Sequence, residues 1–376
     1  MQVTVHKERV FALLDALLKR WKKRQFPYDQ PDAIIPQTII PDDLRADKVA
    51  LTTFYFYACI YMRGGIESLQ AFQALLRMRE AHPECFDPLR AQWMRVEEVQ
   101  AILKRYIGWD SKAASRNWVE NSWRLASYWN ANPLVLFKGI QDYDEALRRL
   151  RNKLTKRDMK AAGHGGLGFR GFQPKMVSML VYFLDWEGLL KPRFAYPSPA
   201  DFHNFRLGLA TGAIEVSPRP QRIRTSERLS APWRKVVLEY IQERRADPVE
   251  VADALWLFSL VMCGNSPITA EREAENDSGL TARKLFSSEE LPQATDHPAY
   301  FLMRRFRRRL ATTCLKCSLR EACTLAIPSA PYYRKGFLVL RERFRIEDHL
   351  PTIDPDTPRA TVEGSENLHL FGPDTL

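Results

Sequence analysis

A lysine, an aspartate and a set of cysteines are the residues in this chain whose types and spacing could do chemistry. Lys175 follows Gly171-Phe172-Gln173-Pro174 and stands at the mouth of an apolar run made by Met176, Val177, Met179, Leu180, Phe183 and Leu184. An uncharged amine in that position can attack an electrophilic carbon, which is what excision of a base through a Schiff-base intermediate requires. The same lysine would also serve as a phosphate-binding or solvated cation. Asp201 ends Ser198-Pro199-Ala200-Asp201, which has the form of a helix start with Ser as N-cap, Pro at the first helical position and Asp in the first turn. Capping is a complete reason for Asp201. A carboxylate held there could also stabilise positive charge developing on a sugar as its base departs, or orient a nucleophile. Far downstream, Cys314, Cys317 and Cys323 stand as C-x2-C-x5-C, with Cys263 the nearest candidate for a fourth thiolate. In a reducing compartment this spacing fits a metal or cluster site better than a disulfide scaffold, with zinc and an iron-sulfur cluster as the rivals. Cys59 and Cys85 read as core and loop residues.

Something must position these groups, and the sequence points to helices. Gly163, Gly165, Gly166, Gly168 and Gly171 make a turn that can approach a ligand closely, and backbone N-H groups at the following helix start can hold a phosphate. His164 lies inside that turn, and His203 lies just past Asp201; each reads as either a structural or a substrate-touching residue. Upstream, residues 3–25 carry Val10, Phe11, Leu14, Leu17, Leu18 and Trp21 at helical spacing, with Lys19, Arg20, Lys22, Lys23 and Arg24 gathered at the end. That basic run complements a helix C-terminus or contacts phosphate. Pro27, Pro31, Pro36 and Pro41 then predict an extended connector.

Further helices are predicted over 51–62, 66–80, 96–106 and 142–154, with another capped by Asp110 and faced by Trp118, Ser122, Leu125 and Trp129. The tryptophans there read as core packing before base stacking. Residues 211–230 look irregular, 233–244 helical, and 248–262 an apolar helix that delivers Cys263. A polar insert follows and ends in an arginine-rich helix, 300–310, whose Arg304 and Arg308 could meet a DNA backbone or form a solvated face. Residues 332–344 could form a short strand or hairpin, and 353–376 is a Pro/Asp/Thr-rich tail. With almost no alternating pattern, the predicted fold class is mostly α.

Composition narrows the partners. The chain has 376 residues and a net charge of +11, which favours a polyanion, nucleic acid before membrane. Its best apolar run, 50–62, is too short to span a bilayer and contains Thr52 and Thr53. Lys7, Glu8 and Arg9 interrupt any secretory pattern. A cytoplasmic monomer is therefore expected, nucleoid-associated in a prokaryote, with no membrane partner.

With these residues in view, the chain resembles the helix-hairpin-helix DNA glycosylases of the endonuclease III type, which carry a [4Fe-4S] cluster. Gly171-Phe172-Gln173-Pro174-Lys175 is similar to that family's hairpin G-V-G-R-K, and Ala200-Asp201-Phe202-His203-Asn204-Phe205-Arg206-Leu207 to its V-D-T-H-x-F-R-V. Ile107-Gly108 with Ser111-Lys112-Ala113 resembles I-G-x-x-x-S-K-A, one residue shorter, and C-x2-C-x5-C resembles the last three cluster ligands. The resemblance implies a two-lobed fold with a cleft between the lobes and a C-terminal cysteine-ligated loop. It implies Lys175 and Asp201 as catalytic residues facing each other, base flipping, and a [4Fe-4S] cluster on Cys263, Cys314, Cys317 and Cys323.

The implied organisation is an N-terminal helix and connector over 1–45, a helical lobe with the hairpin over 46–200, a cluster lobe over 201–335 with an insert at 264–313, and an extension over 336–376. DNA contacts are expected from Gly166, Gly168, Gly171, Gln173, Arg63, His203, Arg304 and Arg308. The expected function is a DNA N-glycosylase for a damaged or modified base, extended by abasic-site lyase chemistry if Lys175 attacks. Arg63-Gly64-Gly65 stands where the family has a glutamine-bearing segment, which leaves room for a bulky hypermodified base, as in foreign DNA, or for a modified nucleotide outside DNA. A non-catalytic nucleic-acid-binding protein on the same scaffold is the remaining alternative.

Overall fold

The computed structural model describes residues 1–31, 33–62, 68–107, 111–151, 168–220, 222–263, 317–319, 322–323 and 337–339. In chain order these hold β1 (Gln2–Val5), α1 (Lys7–Lys22), α2 (Asp42–Ala46), α3 (Lys48–Tyr61), α4 (Ser68–Ala81), α5 (Pro88–Ala91), α6 (Val96–Ile107), α7 (Lys112–Tyr128) and α8 (Tyr143–Leu150). There follow α9 (Pro174–Trp186), α10 (Phe202–Ala210), β2 (Ile214–Ser217), β3 (Arg222–Arg224), α11 (Glu227–Arg244), α12 (Pro248–Phe258) and β4 (Phe337–Val339). The architecture is mostly α.

The chain divides into two compact units, one of Ile34–Ala200 with Val237–Asp253, the other of Met1–Ala33, Asp201–Val236 and the described residues from Ala254 onward. One division between the units falls after Ala200, where the sequence organisation also has a boundary. Two features differ from it: the N-terminal helix belongs with the C-terminal unit rather than standing apart, and a segment after Val236 returns to the other unit. Local periodicity carries neither fact, because both depend on which distant surface each element buries.

The unit from Ile34 is built around α3, whose residues Leu51 to Tyr61 are all buried. Asp47 starts this helix, its carboxylate accepting from the Val49 and Ala50 N-H groups at 2.9 and 3.0 Å. Aromatic rings extend its reach. Tyr57 stacks on Trp118 of α7 at 4.3 Å, Tyr55 on Phe183 of α9 at 4.8 Å, and Phe56 on Phe172 at 5.0 Å. Polar tips in this core are satisfied: Tyr57 Oη and Ser122 Oγ lie 2.6 Å apart, and Trp118 Nε1 donates to the Cys85 carbonyl at 2.8 Å. Trp118 is thus core, as its spacing predicts, whereas Trp123 on the same helix is 42% exposed. The α7 cap also differs from the expected one. Ser111 is the N-cap, its Oγ accepting from Ala114 N-H at 3.2 Å, while Asp110 lies outside the described residues.

The second unit corrects the reading of the residues before α1 and of the stretch after Thr211. Residues 2–5 are a strand, not helix, and pair antiparallel with β2 in the register Gln2↔Ser217 to Val5↔Ile214. The supposedly irregular stretch after Thr211 supplies that partner, and β3 pairs with β4 at Ile223↔Leu338. Strands this short have no legible period; a ladder formed across a long sequence separation stabilises them. Arg9 reinforces the first ladder, donating to Glu215 Oε1 at 2.6 Å and to the Gly212 carbonyl at 2.8 Å. Val10, Leu13, Leu14, Leu17 and Leu18 bury the apolar face of α1. After α12 a π-helical stretch, Ser259–Cys263, carries the chain to its cysteine.

Candidate active site and cysteine site

Lys175 is held by a hairpin that α7 grips. Gly168 has φ +63°, and a Cβ there would lie 2.1 Å from the Arg151 carbonyl oxygen, so this close approach admits only glycine. Gly171 also sits in the left-handed region, at φ +81°. Between them, Phe169 N-H donates to the Leu150 carbonyl and Phe172 N-H to the Phe169 carbonyl, both at 3.0 Å. Phe169 and Phe172 are buried. The fully buried Asn121 then treats the turn as a strand neighbour. Its Oδ1 accepts from Arg170 N-H at 2.7 Å and its Nδ2 donates to the Arg170 carbonyl at 2.9 Å. Arg124 donates to the Gly168 carbonyl at 2.5 Å, and the Arg170 guanidinium meets the Glu120 carboxylate at 2.7 and 3.0 Å.

Gln173 is the N-cap of α9, Pro174 its first residue and Lys175 its second, as the sequence predicts. Tyr143 anchors the same turn by donating to the Pro174 carbonyl at 3.1 Å, with Ser178 Oγ 2.8 Å away. Lys175 is half-buried between the buried Pro174 and Met176. Lys175 therefore stands beside apolar residues, in the first turn of a helix whose outward N-H groups favour an anion.

Asp201 occupies a different capping position from the expected one. It is itself the N-cap of α10, which begins at Phe202, so Ser198 and Pro199 precede the helix. Its Oδ1 accepts from His203 N-H at 2.9 Å, Asn204 N-H at 3.3 Å and Asn204 Nδ2 at 3.2 Å. Asp201 is half-buried. His203 turns inward: it is 8% exposed, its Nδ1 is 3.1 Å from Ser259 Oγ, and its ring packs on Phe202 at 3.7 Å. In this arrangement its side chain is part of the packing around Ser259 and Phe202. Lys175 and Asp201 belong to different units.

Cys263, Cys317 and Cys323 carry thiols that are not joined in disulfides with one another. The structure brings the first two together. Burial pushes the Cys317 thiol up to about 12, and the neighbouring Cys263 sulfur adds to the rise through like charge. Leu319 N-H donates to Cys317 Sγ at 3.4 Å, and the chain turns back so that Cys323 N-H donates to the Leu319 carbonyl at 2.9 Å. Burial raises the Cys263 thiol too, while Arg206 and Ser259, both hydrogen-bonded to its sulfur, oppose that rise. Arg206 is 4% exposed, donates to the Ser259 carbonyl at 3.2 Å and lies over the Phe202 ring.

Two thiols on half-buried residues, within electrostatic reach of each other and resisting ionisation, would be relieved by a bound cation, because coordination deprotonates a thiol outright. The donor set thus fits a thiolate-ligated metal or cluster. Among the described residues, however, no three His, Cys, Asp or Glu side chains converge as a metal-binding group. Cys314 lies outside the described residues, as do Arg63, Gly166, His164, Arg304 and Arg308.

Sequence reasoning missed Asn121, Arg124 and Arg206, the polar groups that fix the hairpin and the first cysteine. Asn121 left a faint signal, a polar residue beside the apolar face of Trp118 and Leu125. No family model matches this chain, and no curated protein and no solved structure matches it either. What the described residues define is a mostly helical protein with a glycine hairpin clamped ahead of a lysine, and among them no helix is long and apolar enough to cross a membrane.

Proposed function

We propose that this protein is a DNA N-glycosylase. The observation that carries the reading is the hairpin from Gly168 to Gln173, gripped by the buried Asn121 and Arg124 so that Lys175 stands on the first turn of α9. A rigid turn with backbone N-H groups ahead of a helix suits a phosphodiester, and a positioned amine suits attack on the sugar carbon of a flipped nucleotide. In the proposed reaction the base departs with the electron pair of the N-glycosidic bond, and the Asp201 carboxylate stabilises the positive charge left on the sugar. Attack by the Lys175 amine at that carbon forms a C–N bond; as the ring C–O bond breaks, a proton passes from the nitrogen to the ring oxygen, giving a hydroxyl and the Schiff base of a lyase pathway.

A [4Fe-4S] cluster, or zinc in its place, would be held by Cys263, Cys317, Cys323 and Cys314, and would cross-link the segment that carries them. Arg206 and Ser259 keep the Cys263 sulfur in place, and Leu319 N-H does so for Cys317. A second reading, a nucleic-acid-binding protein without catalysis, is favoured by one observation: three donors already engage Asp201 Oδ1, so capping by itself accounts for this aspartate.

Base release from a panel of damaged and hypermodified duplexes, with borohydride trapping on abasic DNA, separates the readings. Release lost in Asp201→Asn and trapping lost in Lys175→Gln are expected. DNA binding with neither release nor trapping on any substrate establishes the second reading.

A further inference from the structure

The solvent face of α7 runs along the edge of the hairpin. Successive residues turn by about 100°, so Glu120, Asn121 and Arg124 occupy one arc, and each of them touches the hairpin through Arg170 or Gly168. Arg116, Trp123 and Ser127 lie on the adjoining arc and are exposed, with Lys112 at its far end. Trp123 is 42% exposed and its ring meets Tyr128 edge to face at 5.6 Å. Tyr128 thereby contacts an indole that keeps 42% of its surface exposed.

The strip carries three cations against two carboxylates, a net charge of one. Arg170 reaches over it from the hairpin, held by Glu120, Lys112 pairs with Glu97 at 3.6 Å, and Arg116 adds a third positive charge against these two carboxylates. Arg116 and Trp123 are separated by two helical turns, about 10 Å, or about three nucleotides of one strand.

We infer that this strip is a second nucleic-acid contact, in which Trp123 stacks on a base or sugar and Arg116 pairs with a phosphate of the strand that the hairpin holds. The inference rests on the DNA-binding reading above and extends it to a surface that the hairpin motif does not include. An exposed aromatic two helical turns from an exposed arginine, on the helix that grips the hairpin, matches what single strands and distorted duplexes require of a protein surface.

The test uses full-length protein and a duplex bearing a tetrahydrofuran abasic-site analogue, with binding measured over a series of salt concentrations. Trp123→Ala is expected to weaken binding between about 5- and 100-fold. Trp123→Phe should keep most of the affinity while losing the part of tryptophan emission that the DNA quenches. Arg116→Gln should lower the slope of log K against log salt by about one. Lys175→Gln serves as the hairpin control. Variants of Arg116 and Trp123 that bind as the wild type does, with the same slope, overturn this inference and leave the hairpin reading standing. Wild-type protein with no affinity for the duplex overturns both.

Discussion

Asp201 caps a helix by its contacts, and the catalytic role proposed for it can be separated from that structural one. Asparagine caps a helix about as well as aspartate, whereas alanine forfeits the cap at a cost of about 1 kcal/mol. Asp201→Asn should therefore unfold at nearly the wild-type urea concentration, while base release falls by a factor on the order of 100 or more. Asp201→Ala should show both losses. If Asp201→Asn releases base at the wild-type rate, the residue is a cap and nothing else. Cys263 poses the same kind of question, because Arg206 and Ser259 are hydrogen-bonded to its sulfur. Cys263→Ser should lower the bound iron and sulfide, or zinc, of the purified protein; unchanged metal content would remove it from the ligand set.

At the scale of elements, the hairpin depends on contacts that lie outside it. Gly168→Ala must move backbone, since the new Cβ would stand 2.1 Å from the Arg151 carbonyl oxygen at φ +63°. A loss on the order of 3 kcal/mol or more is expected in denaturant titration. Asn121→Ala keeps the turn sequence intact but strips both backbone partners from Arg170. That change should cost about 2 kcal/mol, and DNA affinity should fall with it even though Asn121 is buried and touches no ligand. Wild-type affinity in Asn121→Ala would mean that the hairpin holds its shape without α7.

The whole molecule carries a pH signature in the unit from Ile34. Asp253 on α12 is 3% exposed, and burial pushes its carboxyl up to about 7, with Asp247 and Glu250 adding to the rise and the Tyr182 hydroxyl, donating to Oδ1, opposing it. Since the folded protein then holds a proton that the unfolded chain releases near pH 4, stability declines as pH climbs from about 4 to about 7 and is level above that. The gap corresponds to about 4 kcal/mol at full ionisation, an upper figure because water and local relaxation soften it. Asp253→Asn, which keeps an acceptor for Tyr182, should raise the melting temperature at pH 8 and leave it unchanged at pH 4. Equal melting temperatures at pH 8 would show that the carboxylate ionises in place at no cost.

Much of this protein follows from the order of its residues. The apolar run of α3, the Gln173-Pro174 start of α9 and the apolar helix α12 that leads towards Cys263 are local patterns, set by side-chain period and backbone preference, and each is legible before any coordinates. Other features could not be read that way. The strand at Gln2–Val5 exists because of a partner at Ile214–Ser217, the hairpin is rigid because Asn121 and Arg124 reach it from α7, and Trp118 is buried while Trp123 is exposed. Which residues the chain places near one another across long separations is a property of packing. A sequence specifies that packing through the sum of many contacts, and no short stretch of it records the result.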